Sequence, residues 1–162
     1  MTGLSAVRTA VAFLILVVLH YTLRPMLGWR AQPDFLVIAL LLVAIRIRPG
    51  PAAIIGMLVG FFADSVALHA FGSSAVAMAM VAFSASWLKA VFFADNMALN
   101  AFFFLAGKWL FNAIYLVMER RFTGGELFME ILVWSSLSAA VTALVGLLTL
   151  LILRPILRTS SP

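Results

Sequence analysis

Six acidic and eleven basic residues are scattered through the 162-residue chain, and the informative ones are those set inside apolar runs. Lys108 stands in the middle of AFFFLAGKWLFNAIY, and Asp64 closes GMLVGFFAD. An ionised side chain is costly in hydrocarbon, so residues of this kind face a bundle interior, a partner or a wet surface. At 1.5 Å per residue, Asp64 lies about 20 Å and Lys108 about 16 Å along their helices from the same membrane edge. This shared depth leads to the expectation of a buried polar pair, Asp64 with Lys108, with Asn112 extending the same face four residues on. The plainer alternatives are a Lys108 that snorkels, an Asp64 that sits at the headgroups and an Asn112 bonded to a neighbouring helix.

Ala52, Gly56, Gly60 and Asp64 recur every four residues and share one helical face. Small residues at that spacing let another backbone approach closely, as in a GxxxG contact. The face is expected to meet a helix of the same chain, or else a partner helix or lipid. Glu126 and Glu130 are also four apart, at a helix start, where acidic side chains suit the positive end of the helix dipole. His20 and His69 are the only histidines. Without a third ligand of suitable geometry they read as interfacial polar tips, so no metal is expected. The chain has no cysteine, which excludes disulfides and thiolate chemistry. It shows no nucleophile elbow, zincin helix, P-loop or dinucleotide fingerprint. The reading is of a non-catalytic protein with no cofactor.

The elements that position these residues follow from hydropathy. The chain is 65% hydrophobic and 10% charged, with a mean hydropathy of +1.15, well outside the range of water-soluble domains. A crossing needs about 20 apolar residues, so the length allows at most about seven. The apolar runs predict an all-α membrane protein, a single transmembrane domain with helices at about 7–23, 33–47, 51–68, 73–93, 97–118 and 127–153. The second run is short, and spans only if the Arg46 stem is counted. Gly50 and Gly72 mark short loops, which force successive helices antiparallel.

The net charge of +5 comes from basic residues placed singly or in pairs between the runs, with no basic face for nucleic acid. With the N-terminus inside, Arg8, Arg46, Arg48, Lys89, Arg154 and Arg158 fall on the inner side, and Arg24, Arg30, Arg120 and Arg121 on the outer side. This asymmetry favours cytoplasmic termini.

Pro33, Asp34 and Phe35 opening the second helix, GMLVGFFAD from Gly56 to Asp64, and FGSSA from Phe71 together resemble the rod shape-determining protein MreD family. The general likeness extends over nearly the whole chain, while its specific part is confined to about 33–75. The resemblance implies a six-helix protein of the bacterial inner membrane, with a fold like that of the substrate-binding subunits of vitamin uptake transporters. It implies a role in the cell-elongation complex, with an MreC-like single-helix partner, and with RodA and its transpeptidase. By position it carries over Pro33, Asp34, Gly56, Gly60 and Asp64, with no catalytic role attached. The rival expectation is the substrate-binding membrane subunit of a small-molecule (vitamin) transporter.

Overall fold

The computed structural model describes residues 3–27, 32–67, 71–89, 96–119 and 124–158, and it is all-helical. Among the described residues six helices run in order. They are α1 Gly3–Leu27, α2 Phe35–Ala44, α3 Pro49–Ala67, α4 Ser73–Trp87, α5 Met97–Glu119 and α6. The last is continuous from Gly125–Met129 through a π-helical stretch, Glu130–Trp134, into Ser135–Arg158. Among the described residues three segments are long and apolar enough to cross a membrane: Pro49–Val66, Met97–Glu119 and Gly125–Ile152. The shorter apolar stretches Val7–Leu23, Phe35–Ala44 and Ser73–Trp87 pack among them. The protein is therefore embedded in a membrane.

The helix ends have local causes. The third helix begins at Pro49, earlier than hydropathy suggests, and takes in Gly50 and Pro51. A first turn has no intrahelical partners for its N–H groups, so prolines cost little there. The second helix is shorter than the expected 33–47, with only ten residues, and Asp34 caps its start. The fourth ends at Trp87, short of the expected 93, while 90–93 lie outside the described residues. Arg30, His69, Arg120 and Arg121 also lie outside them.

α2 is the centre of the bundle. Nine of its ten residues are buried, and it touches every other helix. A helix that is apolar all round has no solvent or lipid face to present, and FLVIALLLVA is such a helix. The outer helices do have two faces. On α1, Val11, Leu14, Ile15 and Val18 are exposed, while Leu16 and His20 point inward. On α5, Asn100, Phe103, Phe104, Lys108 and Phe111 form the buried stripe at helical spacing.

α3 and α4 make the most extensive helix pairing. A Cβ at Gly56 would run into the Met78 carbonyl, and one at Gly60 into the Ala75 backbone and the Ser74 carbonyl. The face of Ala52, Gly56, Gly60 and Asp64 is buried against α4 of the same chain. This is the same-chain contact expected first, and it corrects the alternative reading of that face as a partner-helix or lipid contact. Its small residues are consumed by a backbone-to-backbone approach inside the protein, so nothing of it is left on the surface.

Candidate functional site

A ten-residue helix is about 15 Å long, roughly half the thickness of a bilayer core. Its first N–H groups have no intrahelical partners, and unpaired donors are costly away from water. α2 begins beside Lys108, the twelfth of the 23 residues of α5 and so about 16 Å from either end of that helix. The start of α2 therefore lies deep in the bundle, and side chains from three other helices complete it.

Asp34 is the cap. Its Oδ1 accepts from the Val37 N–H at 3.2 Å, and its own N–H donates to Thr142 Oγ1 of α6 at 3.2 Å. Lys108 Nζ donates to Asp34 Oδ2 at 2.6 Å, with both side chains nearly inaccessible. The ammonium also lies 4.5 Å from the centre of the Phe111 ring, a favourable cation–π placement. His20 of α1 brings Nδ1 within 3.3 Å of Asp34 Oδ1 and 3.4 Å of the Leu36 nitrogen. One ring nitrogen can serve only one of these at a time. With the proton on Nε2 it accepts from Leu36, and with a proton on Nδ1 it donates to Asp34. Ser138 of α6 donates to the Gln32 carbonyl at 3.2 Å, holding the non-helical approach to the cap.

The expected Asp64–Lys108 pair is thus corrected. Asp64 is buried, but its partners are backbone groups. Oδ2 accepts from the Gly72 and Ala75 N–H groups at 2.9 and 3.3 Å, and Oδ1 from Ser74 at 3.2 Å. Gly72 holds a left-handed φ of +97° as α4 begins, and the carboxylate of α3 closes that helix start from outside. Equal depth along two helices did not imply adjacency. α3 packs on α4, α4 packs on α5, and Lys108 is reached from α2.

Two cavities adjoin the ion pair. One, of about 240 Å³, is lined by His20, Tyr21, Asp34, Ser74, Lys108 and Asn112, among others. The second, of about 180 Å³, lies between α5 and α6 and is lined by Gln32, Lys108, Asn112, Tyr115, Glu130 and Ser135, with Trp134 and Ser138. Lys108, Asn112 and Tyr115 border both. Asn112 therefore shares the polar interior with Lys108, without Asp64. Glu126 is exposed, whereas Glu130 belongs to the π-helical stretch and lines the second cavity.

Sequence reasoning placed Asp34 at a helix opening and left it without a partner. The usable signal was the shortness of the second apolar run. Eleven residues from Phe35 to Ile45 cannot cross a bilayer, so one end must start inside it, near any charge at mid-helix elsewhere. His20 and Thr142 carried no comparable signal.

The Asp34 carboxylate is engaged by an ammonium from α5 and a backbone N–H of α2, and so joins the two helices. Among the described residues no group of three or more His, Asp or Glu is gathered to hold a metal ion. Comparison with protein-family models, curated proteins and solved structures finds no match to this chain.

Proposed function

We propose that the protein is a non-catalytic scaffold of the bacterial cell-elongation complex. In this reading it resembles the MreD family, binds an MreC-like single-helix protein in the inner membrane, and helps regulate RodA and its transpeptidase, with both termini in the cytoplasm. The observation that supports it is the use made of the buried polar groups. Asp34, Lys108, His20 and Thr142 tie α1, α2, α5 and α6 to one another. A centre fixed in this way suits a body that presents outer helix faces to other membrane proteins. The docking face is then an outer one, such as the exposed side of α3 at Ile54, Leu58 and Phe62, since the small-residue face is covered.

The test is purification of the tagged protein from its native membrane in mild detergent, followed by mass spectrometry of what accompanies it. A single-helix partner with a domain outside the cytoplasm is the expected finding, with recovery reduced when Leu58 and Phe62 are replaced by alanine. An ATPase module, or a vitamin at one per chain, would instead establish the transport reading. The cavity beside His20, Tyr21 and Asn112 is the specific feature that favours this second reading.

A further inference from the structure

The second cavity runs from Lys108 at the midpoint of α5 to Leu116 and Glu130, near the end where α5 turns into α6. Glu130 is five residues beyond Gly125, so it lies about 7 Å from the start of its helix, within reach of the headgroup layer. It opens the π-helical stretch, a distortion frequent at functional sites.

Three polar side chains face this cavity without a protein partner. The Glu130 carboxylate, the Asn112 amide and the Ser135 hydroxyl line it, and none makes a hydrogen bond or ion pair with the rest of the chain. Ser135 is only 4% exposed and lines the cavity. Unmatched polar groups inside a membrane bundle are costly unless water or a ligand satisfies them. The charges also fail to balance. Lys108 is matched by Asp34, which leaves the Glu130 carboxylate as the net charge of the slot.

We propose that this slot binds a primary ammonium group, carried on a lipid headgroup or on a free amine. An –NH₃⁺ group offers three N–H donors and one positive charge. Glu130, the Asn112 carbonyl oxygen and the Ser135 hydroxyl supply three acceptors and the balancing negative charge. The Tyr115 and Trp134 rings on the same wall offer further attraction to a cation. A quaternary ammonium carries the same charge but has no N–H to donate, so the slot discriminates against it.

The full-length protein, stripped of lipid in detergent, is examined by native mass spectrometry with phosphatidylethanolamine, phosphatidylcholine or free ethanolamine as the probe. The expected result is retention of phosphatidylethanolamine about tenfold over phosphatidylcholine, the scale of one charge-assisted hydrogen bond, and loss of that preference in Glu130→Gln. Displacement of the lipid by free ethanolamine would assign the slot to a soluble amine. Retention of the lipid against excess ethanolamine would assign it to the headgroup. Equal retention of the two lipids by the unaltered protein, or an unchanged preference in a folded Glu130→Gln, would overturn the proposal. The comparison of lipids on the unaltered protein needs no variant, so a Glu130→Gln that failed to fold would still leave it decisive.

Discussion

Asp34 and Asp64 are 4% and 2% exposed, and each closes the start of a helix, but the two are neutralised by different means. Asp64 receives three backbone N–H groups at the head of α4, so its charge is met by the helix it caps. Asp34 receives one N–H from α2 and hands its second oxygen to Lys108 from another helix. The first arrangement is local to the α3–α4 pair, whereas the second joins elements distant in sequence. Two aspartates equally buried can therefore differ in what depends on them. Removing Lys108 takes away the cation that balances Asp34, while neutralising Asp64 leaves an amide where a carboxylate was.

The largest effect is expected at the ion pair. Lys108→Met should destabilise the protein by about 3–5 kcal/mol, because the Asp34 carboxylate loses the ammonium that balances its charge inside the bundle. The double variant Asp34→Asn with Lys108→Met should recover a substantial part of this loss, since no bare charge remains. Unfolding titrations with SDS, followed by helicity, give both values, and a double variant no better than Lys108→Met would show that the pair is not what holds α2. An intermediate effect is expected for Asp64→Asn, about 1–3 kcal/mol. The amide offers one acceptor oxygen and turns its NH₂ toward donors already present. Should its loss equal that of Lys108→Met in the same titration, the contrast between the two aspartates would fail. The smallest effect is expected for Thr142→Val, about 1 kcal/mol, for the one hydrogen bond that Asp34 N–H gives to α6. A thermal melt monitored by size-exclusion chromatography resolves a change of that size.

Much of the architecture was legible in the chain, because hydropathy is a local property and a bilayer rewards it segment by segment. Six apolar runs yielded six helices, including a fifth at Met97–Glu119 against an expected 97–118. The close approach implied by Gly56 and Gly60 was also readable, since a four-residue spacing fixes a shared face whatever lies opposite. What lay opposite was not readable. That the occupant is α4, and that no part of the face remains for a partner, follows only from how α3 and α4 are laid together.

The site divides in the same way. A lysine in the middle of AFFFLAGKWLFNAIY had to find an interior or a partner, and the sequence by itself determined that much. Tertiary structure alone decided that the partner is Asp34, 74 positions away, with His20 and Thr142 around it. Asp64 had the right type and the right depth, and lost the lysine because pairing depends on which helices are neighbours. That Glu130 and Ser135, five residues apart, line one cavity was equally hidden. A π-helical stretch shifts the register of every residue after it, and a count by fours along the sequence assumes that register to be unbroken. Local composition determines where a chain enters the membrane and which residues need company, while company itself is a property of the packed bundle.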